Sequence, residues 1–236
     1  MGLSLILPPG DVLPRRERQT NMAAHTESEA TPRHILEAAM NVIARHKISG
    51  TRMRQIAQQA GISQGTLHYH FASKADLLLA LLDEMERAFD EDRRRRLAAS
   101  TLGPEEMLRI FCDQQRWVLT QRPELEEVFF DFWGQGMIDP RIRPKIRWMY
   151  EVWRQDIAAI VERGVREGVF SPRYAHLVPA VFVSLMEGAA LQHLIDETVF
   201  DLDEYLALIY DLIISLLKGT FTLPLSHGTG EETPSR

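Results

Sequence analysis

Residues 60–71, AGISQGTLHYHF, bring two histidines, a glutamine, a threonine and a tyrosine together, a set that could form a metal site, a catalytic loop or a contact surface. His68 and His70 are two positions apart, about 200° around a helix, so they cannot share one ligand face. No HExxH motif is present. A metal site is therefore not expected, whereas amide and hydroxyl side chains suit the base edges in the major groove of DNA.

The same stretch predicts how these side chains are held. Gly61 can adopt the left-handed conformation that ends a helix, and Ser63 is a good N-cap for the next one. Two short helices joined by a three-residue turn are typical of a helix-turn-helix unit. The small and apolar side chains that close packing of such helices requires follow in order: Ile56, Ala57, Gly61, Ile62 and Leu67.

The charge distribution separates this region from the rest of the chain. The whole chain of 236 residues has a net charge of −6, but residues 31–75 hold six basic side chains against one acidic side chain, a net charge of +5. A compact basic segment on an acidic body predicts one region for a polyanion and another with a different role. The alternative, a helical hairpin without a DNA role, leaves the basic segment unexplained.

Helical periodicity continues along the chain, and no alternation is long enough to predict a sheet. Thr31 followed by Pro32 predicts a helix start, and Ser73 predicts a later N-cap. Glycine and proline sites divide the remainder into long helices. The expected helices cover about 31–47, 53–60, 64–71, 74–98, 104–120, 124–137, 140–168, 173–196 and 203–218.

Bulk composition is ordinary for a soluble protein of a reducing compartment. Cys112 is the single cysteine, so no internal disulfide can form, and no apolar run reaches the roughly 18 residues that span a bilayer. We expect a cytoplasmic protein with no membrane partner. Residues 1–30 and 220–236 lack periodicity, which predicts a disordered arm and a flexible tail.

Residues 51–78, TRMRQIAQQAGISQGTLHYHFASKADLL, resemble the DNA-binding segment of TetR-family transcriptional regulators. The shared pattern is a threonine-led helix, I-A-x-x-A-G-[VI]-S, then G-x-L-Y-x-[YH]-F and x-S-K-x-x-L. The resemblance implies an all-α fold, with a three-helix DNA-binding unit at 31–75 and a helical effector-binding and dimerisation domain at 76–219. It also implies a homodimer, a pseudo-palindromic double-stranded DNA operator, a small-molecule effector and no cofactor.

The resemblance also implies roles for single residues. The expected base-reading residues are Gln64, Gly65, Thr66 and Tyr69. The expected phosphate-holding residues are Thr51, Arg54, His68, His70 and Lys74. Arg52 stands where the family often has Thr or Ser, so either Thr51 caps the next helix or Arg52 approaches a phosphate. His68 replaces a usual tyrosine, which predicts a pH-sensitive DNA affinity.

Aromatic residues concentrate in the body of the chain, where all four tryptophans lie between positions 117 and 153. Most of these side chains are expected to form ordinary core. An interior rich in aromatic residues and methionine also lines apolar ligand cavities, and the resembled family encloses an effector in this part. The side chains expected to contribute to such a lining are Phe111, Trp117, Phe130, Trp133, Met137, Trp153 and Met186.

Two charged features of the body have alternative interpretations. Glu187 stands in the apolar run VFVSLMEGAALQHLI, where an exposed or paired carboxylate is expected; the alternative is a pocket anion that faces a cationic ligand beside aromatic rings. The run RRRR at 93–96 follows acids four positions earlier, so it is expected to form self-paired charges on a solvated face.

Together with these features, the resemblance implies a homodimeric repressor that a hydrophobic or amphipathic effector releases from DNA, with the last two apolar helices at the dimer interface. A DNA-binding activator or an effector-independent regulator is a second interpretation. An all-α enzyme for an apolar substrate is the third, but no nucleophile–base pair, phosphate loop or metal spacing supports it. The chain is therefore not expected to be an enzyme.

Overall fold

The computed structural model describes residues 31–98 and 102–221, and this part of the chain is helical without strands. The all-α fold class is thereby confirmed, while the expected arm and most of the expected tail lie outside the described residues. Nine α-helices and a short 3-10 turn at Pro172–Tyr174 follow one another. The helices are α1 Pro32–Gly50, α2 Met53–Gln59, α3 Gln64–His70, α4 Lys74–Leu97, α5 Pro104–Gln121, α6 Pro123–Ile138, α7 Arg143–Arg166, α8 Val178–Ile195 and α9 Leu202–Lys218.

The N-terminal helices begin at side-chain caps. Thr31 accepts a hydrogen bond from the backbone N–H of His34 at 3.4 Å, and Ser63 accepts one from the N–H of Thr66 at 3.0 Å. Between α2 and α3, Gly61 has a φ of +67°, a conformation that glycine adopts at low cost. The turn that the sequence predicts is therefore formed by the expected residue types.

The junction between α1 and α2 differs from the expectation. Thr51 follows the C-terminus of α1 and donates its hydroxyl hydrogen to the carbonyl of Lys47 at 2.7 Å, so it does not cap α2. The N-cap position of α2 is Arg52, whose backbone N–H donates to Oε1 of Gln55 at 2.7 Å. The helix α1 also continues past Lys47, where the backbone has a φ of +57° before the last residues of α1.

Packing is continuous from the N-terminal helices into the body. One apolar cluster joins α1–α4 to residues of α5, α6 and α7, including Leu67 and Phe132, both fully buried. A second cluster fills the body between α5, α7, α8 and α9, around Phe182 and Ile213. The domain boundary near residue 75 stays a prediction, because the core does not divide there.

The arginine run at 93–96 is only partly on a solvated face. Arg94 pairs with Asp90 and Arg96 with Asp92, each at 2.9 Å between nitrogen and oxygen, as the i, i+4 spacing predicts. The expectation is wrong for Arg93, which is 2% exposed, because the helical repeat turns this position toward the interior. Arg95 was expected to pair with Glu91, but its Nη2 lies 3.7 Å from Oδ1 of Asp92.

The helix α8 is the most apolar part of the body. By length and composition alone it could cross a membrane, and 39% of it is buried within the described fold. Its inner face packs against α7 and α9. Large apolar side chains remain exposed on α8 and α9 and at their ends: Leu177, Val181, Leu191, Ile195, Val199 and Leu208. Whether these side chains form a contact surface, as the predicted dimer requires, stays a prediction.

Candidate functional site

The outer face of α3 presents most of the residues expected to read DNA. Leu67 is fully buried and anchors the helix, while Gln64, Thr66, His68 and Tyr69 are exposed. Tyr69 has 87% of its surface exposed, which is unusual for an aromatic side chain, although its ring makes an edge-to-face contact with that of His70. A polar, exposed helix face held from behind by one apolar residue is a geometry that fits the major groove.

Gly65 is not required by the packing of the protein itself. A Cβ atom at this position would lie 3.6 Å from Oγ of Ser63, an ordinary van der Waals distance, and Gly65 has ordinary helical geometry. The missing side chain on the exposed face of α3 therefore suits the close approach of a binding partner from outside the protein. This is the role that the sequence comparison with the family implies for Gly65.

The residues expected to hold phosphates divide into two groups. Arg52, Arg54 and His68 are exposed, and His70 is half-buried with its ring in an edge-to-face contact with that of Tyr69. The expected phosphate contact of Thr51 is not supported by its position. Thr51 is 3% exposed, and its hydroxyl donates to the backbone carbonyl of Lys47.

Lys74 also differs from its expected role. Its ammonium group donates hydrogen bonds to the carbonyls of Ile48 and Thr51, the second at 2.6 Å, instead of extending into solvent. Burial lowers the pKa of Lys74, and the charge of Asp131 opposes this shift. The side chain therefore fastens the start of α4 to the α1–α2 junction, and the phosphate contact is not supported by its position.

The body contains a cavity between α6, α7 and α8. This outer cavity has a volume of about 580 Å³ and is lined by Phe130, Trp133, Tyr150, Arg154, Ala180, Val183, Ser184, Glu187, Gly188 and Leu191. Two inner cavities of about 60 and 40 Å³ lie beyond it and share Gln114, Gln115 and Trp153 as walls. Glu187 lines both the outer cavity and the first inner one, so the carboxyl stands at their junction.

The expected lining residues are distributed over these cavities. Phe130 and Trp133 line the outer cavity, and Phe111, Trp153 and Met186 line the first inner one. Met137 lies in a shallow depression of about 250 Å³ next to the outer cavity. Trp117 packs at the edge of the cluster that joins the N-terminal helices to the body, away from these cavities, because its helix α5 turns it toward that cluster.

Several lining residues were missed by the sequence analysis. Tyr150 and Arg154 line the outer cavity, and Gln114 and Gln115 line the inner ones. Glu126 lines the second inner cavity and is 7% exposed. Glu126 lies with Leu125, Val128 and Phe129 on the apolar side of α6, which could have indicated its burial. The neighbouring glutamates in PELEEVFF made it resemble one of several surface charges instead.

Two carboxyl groups line the cavities, together with the arginines Arg93 and Arg154. Tyr150 donates a hydrogen bond to Oε2 of Glu187 at 3.1 Å. Burial raises the pKa of Glu187 to about 7, against the opposing effect of this hydrogen bond. Burial and the nearby charge of Glu187 raise the pKa of Glu126 to about 8. Glu187 is thus not the exposed carboxylate that was one of the expectations, pairing of Glu187 at an interface stays a prediction, and the alternative of a pocket carboxyl fits its place in the cavity wall.

Aromatic rings and an unpartnered donor surround these carboxyl groups. Phe129, Tyr150 and Trp153 contact one another with ring centroids 5.7 to 6.4 Å apart. Among the described residues, the buried Nε1 of Trp153 lacks a hydrogen-bond partner, and the side chain of Gln115 lies beside the carboxyl of Glu126. Buried donors of this kind normally have partners, so the site has polar capacity that a ligand could use. No group of three His, Cys, Asp or Glu side chains within the described ranges could hold a metal ion.

Arg93 connects the inner cavity to α4. Its guanidinium lies 2.8 Å from Oδ2 of Asp156 on α7 and 3.3 Å from Oδ1 of Asp90, and its Cζ is 5.5 Å from the centre of the Phe111 ring. A buried charge is stable only with such partners. The cavity wall thus includes a residue of the helix that begins at the DNA-reading unit.

Glu126→Gln is expected to stabilise the protein more at about pH 9 than at about pH 5. A carboxyl whose pKa rises from 4.5 to about 8 on folding keeps its proton in the folded state, so stability falls as the pH rises through this interval. Glutamine carries no charge to desolvate. We expect a gain on the order of 1 kcal/mol at the higher pH, or about 2–4 °C in the Tm measured by thermal unfolding.

Glu197→Gln, at an exposed position between α8 and α9, controls for the loss of one negative charge. The same gain in both variants at the higher pH would show that global charge, and not burial of Glu126, is responsible.

Comparison with known proteins matches both parts of the chain. Residues 35–81 match the model of bacterial regulatory proteins of the tetR family, and residues 104–218 match the C-terminal model of BetI-type transcriptional repressors. The HTH-type transcriptional regulator TtgR of Pseudomonas putida is 31% identical over 78 residues, 33% of this chain and 37% of TtgR. The aligned part thus spans about a third of that relative's length.

Solved structures extend the similarity over the body. A transcriptional regulator from Saccharomonospora viridis, solved in complex with choline, is 27% identical with a TM-score of 0.71, over 77% of this chain and 94% of that one. FadR of Bacillus subtilis, solved with stearoyl-CoA, is 19% identical with a TM-score of 0.66 over 78% and 98% of the two chains, and it shares the fold. One family model covers the helix-turn-helix region and a second covers the helical body, so the chain belongs to the TetR family of bacterial transcriptional regulators.

Proposed function

We propose that this protein is a homodimeric DNA-binding repressor of the bacterial cytoplasm, released from its operator by a small organic cation. The observation that carries the DNA-binding part is the exposed polar face of α3, with Tyr69 at its centre and Leu67 holding it from behind. Arg52 and Arg54 are exposed at the start of α2, the helix that precedes α3, and we propose that they hold phosphates while α3 reads base edges.

The aromatic cavity that contains Glu187 supports the cationic effector. An ammonium group gains from a carboxylate such as Glu187 and from the aromatic rings of Trp133 and Tyr150, which line the outer cavity with it. The related regulator from Saccharomonospora viridis was solved with choline, a quaternary ammonium compound. We therefore propose choline or a similar amphipathic cation as the effector, which refines the expectation of a hydrophobic or amphipathic molecule.

A second copy of the chain is proposed on the exposed apolar face of α8 and α9. One short reading helix binds a single groove weakly, and a two-fold partner would place the second helix about 34–36 Å away. This arrangement predicts a pseudo-palindromic operator. An activator with the same geometry is the second candidate, because the same DNA-reading face and effector cavity are compatible with activation as well as repression.

Selection from random duplex oligonucleotides tests the proposal. The full-length protein is expected to enrich a sequence with two related half-sites, and choline is expected to lower its affinity for that sequence. If no sequence is enriched, the DNA-binding proposal is wrong. Enrichment of a sequence whose affinity choline raises would favour the activator, and analytical ultracentrifugation that finds a stable monomer would remove the dimer.

A further inference from the structure

The depression beside the outer cavity differs from that cavity in charge. Its volume is about 250 Å³, and its walls include Arg143, Arg147 and Arg154 of α7. No acid is among the described residues that line it, whereas the wall of the outer cavity includes the carboxyl of Glu187. We call the three arginines the arginine rim.

The depression and the outer cavity share one wall. Trp133, Tyr150 and Arg154 line both of them. Tyr150 also donates its hydrogen bond to Glu187 at 3.1 Å, so a single side chain joins the carboxyl to the arginine rim. A molecule that lies along this wall can therefore contact the carboxyl with one end and the arginines with the other.

The helical repeat of α7 aligns the arginine rim with the cavity wall. Arg143, Arg147, Tyr150 and Arg154 follow one another at intervals of four, three and four residues, which places them on one face of the helix. The alignment is therefore a property of α7 itself, and it keeps all three guanidinium groups on the side of the depression.

The charges of the arginine rim are only partly matched within the protein. Arg154 pairs with Glu151 at 3.0 Å, and Arg147 attracts Glu151 without a hydrogen bond to it. Arg143 donates from Nε and Nη2 to the backbone carbonyls of Gly136 and Met137 at 3.0 and 2.8 Å. Arg147 is exposed, so its guanidinium has donors available for an anion.

The size of the outer cavity indicates a ligand larger than choline. Its volume of about 580 Å³ lies within the range of about 300–1,000 Å³ that is typical of sites for drug-sized molecules. Choline is much smaller than such molecules, so a choline group at Glu187 leaves space toward the arginine rim. Solvated surface arginines are common on helices, but they do not ordinarily border a cavity of this size.

The arginine rim suits a phosphate. Guanidinium groups bind phosphates and carboxylates through paired N–H donors. Tyr150 lies three residues from Arg147, a rise of about 4.5 Å along the helix. In phosphocholine, two carbons and an oxygen separate the nitrogen from the phosphorus, which suits a gap of this size. In glycine betaine a single carbon separates the nitrogen from the carboxylate, so this ligand is too short to use both ends of the wall.

We propose that the arginine rim is an anion subsite of the effector cavity, and that the ligand class is a phosphate ester of choline with its ammonium group at Glu187 and its phosphate at Arg147 and Arg154. This inference rests on the cation site of the proposed function. It refines the ligand from a cation to a molecule that carries both charges, and it does not depend on DNA binding.

Isothermal titration calorimetry of the full-length protein with choline and with phosphocholine tests the subsite. We expect wild type to bind phosphocholine at least about tenfold more tightly than choline, since several charged contacts add to the cation site. This preference is expected to decrease with added salt, because exposed charges are screened. Glycerophosphocholine, a diester that retains a lipid headgroup, distinguishes a diester ligand from a monoester by which of the two binds more tightly.

Arg147→Gln is the variant, and Arg166→Gln is its matched control. Both arginines are exposed on α7, but Arg166 lies at the far end of the helix, away from the depression. The preference for phosphocholine is expected to fall about three- to fivefold in Arg147→Gln, the range of an exposed charge contact, and to stay within about 1.5-fold in Arg166→Gln. Choline itself should bind Arg147→Gln as tightly as wild type or slightly more tightly, because a nearby positive charge is removed.

The outcomes separate the subsite from the cation site. If wild type binds neither ligand, both proposals are wrong. If choline binds and phosphocholine binds no more tightly, the cation site stands and the anion subsite is wrong. An equal loss of preference in Arg147→Gln and Arg166→Gln would assign the effect to net charge and overturn the role of the arginine rim. If phosphocholine alone binds and Arg147→Gln weakens it, the subsite is supported and choline by itself is not the effector.

Discussion

Tyr69→Ala is expected to lower the affinity for the selected operator by more than about tenfold while the fold stays intact. A good side-chain contact to a base is worth about 1–3 kcal/mol, and a homodimer would lose it at both half-sites. Since Tyr69 is 87% exposed, its removal opens no cavity in the core. The Tm is therefore expected to change by no more than about 2 °C, since exposed substitutions usually stay within about 0.5 kcal/mol.

Gel-shift titrations over a range of salt concentrations check this expectation. Arg54→Ala is the comparison variant, because loss of a phosphate contact lowers the salt slope by about one unit per half-site and weakens all sequences alike. Tyr69→Ala should leave the salt slope unchanged and reduce the preference for the selected sequence. A normal operator affinity in Tyr69→Ala would remove α3 as the base-reading element.

Glu187→Gln is expected to weaken the binding of choline by about 10- to 150-fold. A buried hydrogen bond or contact to a charged group is worth about 1.5–3 kcal/mol, and glutamine keeps the shape of the side chain without its charge. The neutral isostere 3,3-dimethyl-1-butanol should bind wild type and variant with similar affinity. Isothermal titration calorimetry without DNA measures both ligands, and equal choline affinity in wild type and variant would contradict the cationic site.

The pH dependence of choline binding provides a second check on the same carboxyl. Because burial raises the pKa of Glu187 to about 7, the proton competes with the cation below that pH. The affinity of wild type should therefore fall as the pH decreases from about 8 to about 6. Glu187→Gln has no proton to take up at this position, so its affinity should fall less over the same interval, and Glu126, whose pKa is about 8, accounts for any pH dependence that remains.

The DNA-reading unit was predictable because its signals are local. Gly61, Ser63 and the spacing from Ile56 to Leu67 determine two short helices and which side of the second is buried. These properties depend on backbone conformation within about fifteen residues, and the structure confirms the helices. The positions of Thr51 and Lys74 were not predictable in this way, because their partners are backbone carbonyls that the fold of α1 brings to them.

The cavity was only partly predictable because a helical pattern shows which face is apolar but not which helix it meets. Trp117 and Trp153 look alike in sequence, yet Trp117 packs toward the N-terminal helices and Trp153 lines the inner cavities. Arg93 was expected among surface charges, and Glu126 was not singled out at all. The burial of both depends on other helices, since Arg93 pairs with Asp156 and Glu126 lines an inner cavity.

By itself, the amino-acid sequence determined the all-α class, the family and the outward face of the reading helix, since helix periods, caps and glycine turns act over short distances. The tertiary structure alone decided that Glu187 and Glu126, far apart in the chain, line neighbouring aromatic cavities. Such meetings depend on how helices cross, which is set by the packing of whole faces and not by any single segment.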